Sequence, residues 1–207
     1  MSQSRPSLVR LTRNLALTGP LCLLAYGLLR LVDGLDGSHG PGVAWDVGHA
    51  FFLAAFLTFG VLLVALRDLV PVRTPAHRAT AVAAMLAGLV GVAAFLRVIL
   101  GDLFPRLDGV AELPAVLEVA GPLLFQVGTV GLLAMLATLQ PRRVPWWSPV
   151  LVFAGFLPIA VNLDLLPVAA LMFLVGLSPL HRDAVRRDGG PSSPGRDSSW
   201  STTPASS

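Results

Sequence analysis

Residues 146–180 read WWSPVLVFAGFLPIAVNLDLLPVAALMFLVGLSPL, and the way this stretch divides decides the fold. It is apolar except near its middle, where Asn162 and Asp164 interrupt it, with Pro158 and Pro167 on either side. Its 35 residues are too many for one membrane-spanning helix, which needs about 20, and barely enough for two. The polar interruption favours a tight helical hairpin of two short spans, 147–161 and 165–180, with local bilayer thinning or unwinding to relieve the mismatch. A single tilted or kinked helix is the other reading. The two differ in consequence, because they leave the C-terminal segment on opposite sides of a membrane.

Four further apolar runs precede this one, at about residues 15–32, 48–66, 80–100 and 115–139. Each is long enough to span, and the fourth is bounded by Pro114 and by Gln140-Pro141, residues that start or stop a helix. The first follows Arg5, Arg10 and Arg13 in the manner of a signal peptide. No small-x-small cleavage site follows it and more spans do, so it reads as a retained anchor. Only 13% of the 207 residues are charged and 54% are hydrophobic, against roughly 25% charged in a soluble domain. The mean hydropathy is +0.73. The expected fold is therefore all-α, a polytopic membrane bundle of six transmembrane helices with the lipid bilayer as its partner. A bundle of this size leaves no room for a sizeable soluble domain.

Charge orients the bundle. The N-terminal segment, the 67–79 loop, the 140–146 loop and the C-terminal tail hold 12 arginines against 4 acids; the other connections hold 3 arginines against 8 acids. The positive-inside rule places both termini in the cytoplasm, which requires an even number of spans and favours six over five. Residues 1–14 then form a cytoplasmic N-terminus and residues 181–207 a disordered cytoplasmic tail, Gly-, Pro- and Ser-rich from Gly189 onward. Trp45, Trp146 and Trp147 sit at span edges, where amphipathic rings prefer the headgroup region. The net charge of +3 comes from residues flanking apolar runs and forms no continuous basic face, so nucleic acid is not an expected partner. All fifteen basic residues are arginine, a usage that, with abundant Ala, Gly and Pro, looks like a GC-rich bacterial genome. The expected location is a bacterial cytoplasmic membrane.

Polar residues near a bilayer are candidates for function, because their desolvation must be offset. Here they gather on the acid-rich side: Asp46, His49, Arg97, Glu118, Asn162 and Asp164, with Arg30 beside them. Asp46 and His49 are three apart and share a helical face, where a carboxylate can orient an imidazole as a proton relay or as half of a metal site. The structural reading is strong too. Under the inferred topology Asp46, Glu118 and Asp164 lie near helix N-termini, while Arg30 and Arg97 lie near C-termini, as the helix dipole favours. Glu118 is expected one turn inside its span, with Arg97 as the obvious partner. The prolines around Asn162 and Asp164 fit either a broken transporter helix or an ordinary tight turn. Ala83, Ala87 and Gly91 read as a small-residue packing stripe. His39, His77 and His181 fall in loops.

Enzyme and cofactor signatures are lacking. His49 is the one histidine inside a span, no His-x-x-x-His or His-Glu-x-x-His string occurs, and no phosphate-cradling Gly-rich loop is present. The single cysteine, Cys22, reads as a buried small hydrophobe. No catalytic residue, metal ligand set or cofactor is expected. The segment Arg30-Leu31-Val32-Asp33-Gly34-Leu35-Asp36-Gly37, continuing through Gly40-Pro41-Gly42 to Trp45 and Gly48-His49, resembles small polytopic membrane proteins of actinobacteria that have no assigned function. The resemblance implies a six-helix inner-membrane protein and supplies no activity. The expected function is a non-enzymatic accessory or small permease-like protein with an outer polar cluster. Its partners would be other helices, a second copy of itself, or a small molecule the sequence does not specify. The alternative is a membrane-embedded enzyme or metal-dependent protein using His49 with Asp46, Glu118 or Asp164.

Overall fold

An apolar run without water must satisfy every backbone N–H and C=O within itself, and the α-helix is the local way to do so. The computed structural model describes residues 5–37, 39–104 and 114–188. Among these residues the chain is all-helical: α1 (Arg5–Asp33), α2 (Val43–Leu69), α3 (Pro75–Leu103), α4 (Ala115–Thr138), α5 (Trp147–Val161) and α6 (Leu166–Asp188). Short 3-10 turns at Gly34–Asp36 and Leu163–Leu165 follow α1 and precede α6. Five helical segments are long and apolar enough to cross a membrane. The sixth, α5, has 15 residues, about 22 Å of helix against a hydrocarbon core of about 30 Å.

The stretch 146–180 divides as the polar interruption predicts, into two helices around Asn162. The Asn162 side chain accepts a hydrogen bond from the Asp164 N–H at 2.9 Å, capping the turn that reverses the chain. Elsewhere the helices run past their apolar cores. Thr74 caps α3, its hydroxyl accepting from the His77 N–H at 3.1 Å, and Pro75 occupies the first helical position. His77 therefore lies in a helix, as does His181. At the other end α6 continues to Asp188, which corrects the expectation that disorder begins at 181. The sequence 181–188 contains good helix formers, and its first breakers are Gly189, Gly190 and Pro191. Residues 189–207, the rest of the expected tail, lie outside the described residues.

Each helix packs antiparallel against its neighbours in sequence, and α6 closes back on α1, so the six form a ring. The register is set by glycines facing bulky groups. Gly19 and Gly48 place α1 and α2 together against Phe59 and Tyr26, and Gly155 and Gly176 do the same for α5 and α6 against Phe173 and Val152. The closest pair is α3 and α4. A Cβ on Gly128 would lie 2.5 Å from the Ala84 carbonyl oxygen and from the Gly88 Cα, and one on Gly91 would lie 2.5 Å from the Gly121 carbonyl oxygen. The packing stripe on α3 is thus Ala84, Gly88 and Gly91, not Ala83, Ala87 and Gly91. Ala83 is exposed; periodicity alone admits both faces, and only the partner helix selects one.

The outward surface is apolar on every helix. Leu57 and Val61 on α2, Val90 on α3, Val127 on α4, Leu157 on α5 and Leu171 on α6 are each about half exposed. Soluble monomers rarely present a continuous apolar surface of this kind. Together with the helix lengths, it gives the dimensions of a helical membrane protein.

Candidate functional site

One end of the ring carries the arginine-rich connections; the acid-rich end carries the 34–42 loop and the α5–α6 turn. Arg30, in the last turn of α1, donates from Nε to Asp164 Oδ1 at 3.1 Å. His39 Nε2 approaches the same oxygen at 3.7 Å. Asp164 thus ties the hairpin to α1 and to the α1–α2 loop, and Asp33 closes that loop by accepting from the Gly40 N–H at 3.3 Å. Arg30 at a helix C-terminus and Asp164 near a helix N-terminus each sit where the helix dipole favours them.

His49 is buried, at 2% exposure, yet its partner is not Asp46. Nδ1 lies 2.9 Å from the Trp45 carbonyl oxygen, and Nε2 lies 3.4 Å from Asp102 Oδ2 on α3. Both ring nitrogens face oxygen acceptors. A neutral imidazole has one N–H and satisfies one of them; the doubly protonated ring donates to both. The ring packs against Trp45, at 4.1 Å between centroids and tilted, and against Tyr26 in a T-shaped contact at 5.4 Å. A cavity of about 10 Å3, room for about one water, adjoins it between Tyr26, Arg30, Asp33, Ala44 and Trp45.

The other candidates separate. The Asp46 carboxylate is exposed in the first turn of α2 and makes no hydrogen bond or ion pair among the described residues. Glu118 is exposed in the first turn of α4 and has no ion pair among the described residues, so the expected Arg97–Glu118 pair does not form. Arg97 is half-buried on α3. Asn162 is exposed and spent on capping. Among the described residues, no three His, Cys, Asp or Glu side chains gather as a metal site would require.

No protein-family model, no curated protein and no solved structure matches this chain. Its own geometry is therefore the basis for any functional reading.

Sequence reasoning missed Asp102, although a signal was present. Asp102 lies in the last turn of α3, where a negative charge opposes the helix dipole. An acid held there needs a cation beside it, and the inferred topology brings the start of α2, with His49, to the same level.

It also missed the centre of the ring. Phe52, Phe56 and Phe59 recur at helical spacing on α2, where they meet Phe95, Phe125 and Phe173 from the surrounding helices, and Phe156 on α5 packs against Phe125 and Phe173. Phe56 and Phe95 stack at 4.1 Å, as do Tyr26 and Phe52. These rings do not close completely. They surround a cavity of about 310 Å3 to which all six helices contribute, from Leu23 on α1 to Phe173 on α6. Exposed residues at its rim, Leu123 on α4, Ala160 on α5 and Leu163 in the turn, place its mouth between α4 and α5. Among the described residues, the only polar side chain in its lining is Gln126.

Proposed function

We propose that this is a non-enzymatic integral protein of a bacterial cytoplasmic membrane, spanning it six times with both termini inside. Its outer polar residues act as latches between helices. The observation that carries this reading is that four of the outer groups form two pairs that each join separate helices, while Asp46 and Glu118 stand apart from them. Arg30 with Asp164 joins α1 to the hairpin, and His49 with Asp102 joins α2 to α3. A catalytic centre would instead bring several such groups to one accessible point. The charge asymmetry of the loops supports the orientation, and the likeness of residues 30–49 to small actinobacterial membrane proteins belongs to the same reading.

Reversing the pair tests it. Arg30→Asp or Asp164→Arg alone should lower stability in detergent, and the two together should restore it. A double variant as unstable as either single one defeats the latch reading. Orientation is tested separately in a Cys22→Ala background. A cysteine at Leu35, which is 83% exposed at the acid-rich end, should react with an impermeant maleimide from outside; one at Thr74 should react only from within. The permease-like form of the reading, as against a purely structural accessory, is favoured by the axial cavity.

A further inference from the structure

The axial cavity has the size of a ligand site, since pockets for small molecules run from roughly 300 to 1,000 Å3. Its 310 Å3 are walled by seven of the ten phenylalanines. One amide residue, the half-buried Gln126, lines this apolar space and has no side-chain hydrogen-bond partner among the described residues. An unsatisfied amide away from water is costly, and a polar side chain inside a span is a mark of function. One turn further along the same face of α4, the buried Thr129 hydroxyl also has no partner among the described residues.

Depth identifies the missing partner. Gln126 lies eleven residues after Ala115, where α4 begins, so it is about 17 Å along the helix at 1.5 Å per residue. That is close to the middle of a hydrocarbon core about 30 Å thick. The ester carbonyls and headgroups of glycerolipids stay at the interface and do not reach this level. A molecule that carries oxygen to mid-membrane must be uncharged, and one that fills a chamber of phenylalanine rings is best planar, since aromatic faces and edges favour a ring partner. Access from the bilayer is provided by the mouth between α4 and α5.

We propose that the cavity binds a lipid-soluble ring compound bearing a carbonyl or phenol oxygen, the chemistry of a quinone or of its reduced form. The ring lies among the phenylalanines, its oxygen meets the Gln126 amide, and its apolar tail leaves through the mouth past Leu123 and Ala160. The inference is independent of the polar latches and of the membrane orientation.

The full chain in phosphatidylcholine nanodiscs tests this with two probes, a decyl-substituted benzoquinone and decylbenzene, which lacks oxygen. The quinone should bind saturably above empty nanodiscs, and Gln126→Leu should weaken it roughly tenfold, the scale of one hydrogen bond. The same change should leave decylbenzene unaffected. Ala160→Trp, which narrows the mouth, should abolish binding of both. To guard against misfolded variants, a diazirine at the tip of the quinone's decyl chain is also photolysed on the unaltered protein. Competition of its labelling of Leu123, Ala160 or Phe156 by unlabelled quinone supports the site. Labelling confined to lipid-facing Val119, Val127 or Leu157, absence of saturable binding, or equal loss of both probes in Gln126→Leu overturns it.

Discussion

Gly128→Ala tests the packing that sets the α3–α4 register. The added Cβ would meet the Gly88 backbone nitrogen and would lie 2.5 Å from both the Gly88 Cα and the Ala84 carbonyl oxygen. Carbon pairs prefer about 3.5–4.0 Å, so α3 and α4 must part by about 1 Å. All three neighbours are backbone atoms, and no rotamer change can move them aside. Overpacking costs about 1–3 kcal/mol, and a rigid contact belongs at the upper end. Replacing glycine by alanine within a helix returns about 1 kcal/mol. The net expectation is a loss of about 2 kcal/mol. Gly131→Ala is the control on the same helix. There the new Cβ meets only the Ala84 Cβ, at 3.5 Å, so the propensity gain of up to about 1 kcal/mol survives. The two variants should thus move stability in opposite directions, read by reversible unfolding of the purified protein in mixed micelles with increasing dodecyl sulfate. If Gly128→Ala proves as stable as Gly131→Ala, the backbone-to-backbone contact between α3 and α4 is refuted.

Three further changes address single contacts. Ser148 is fully buried and donates to the Gly176 carbonyl oxygen at 2.6 Å, so Ser148→Ala should cost about 1 kcal/mol in the same assay; no loss would mean that α5 and α6 do not depend on this bond. Asn162→Ala should raise hydrogen exchange at the Asp164 amide while Asn162→Asp preserves its protection, because either Asn or Asp can cap the turn. Equal exchange in both variants would contradict the cap. A double-mutant cycle with His49→Gln and Asp102→Asn should show a coupling of about 1 kcal/mol or less, the range for a pair with one exposed member. Strict additivity would show that the imidazole and the carboxylate do not interact.

Local chemistry made much of the fold legible. Boundaries at α4 and α5 follow from Pro114, Gln140-Pro141 and the Asn162 interruption, which are local stops that no packing need supply. Helices α1 and α6 extend past the apolar runs at 15–32 and 165–180, because hydropathy marks where a helix is apolar, whereas a helix continues through charged residues until a breaker ends it. The polar cluster divided along the same line. Arg30 and Asp164 were singled out through charge and position, and the structure pairs them across 134 positions of sequence. Asp46 was singled out through its spacing from His49, but a shared helical face gives proximity without direction. The imidazole turns from Asp46 toward α3.

Composition and short-range order were enough for an all-helical chain, apolar runs of spanning length, and a hairpin at Asn162. Hydropathy, proline and capping act within a few residues and need no knowledge of neighbours. Which side of each helix faces inward was set by packing between helices, because a helix with apolar residues all round has no preferred face until a partner selects one. That choice put Ala84, Gly88 and Gly91 against α4 and brought Asp102 to His49. It also gathered phenylalanines from five helices, with Gln126, around one cavity.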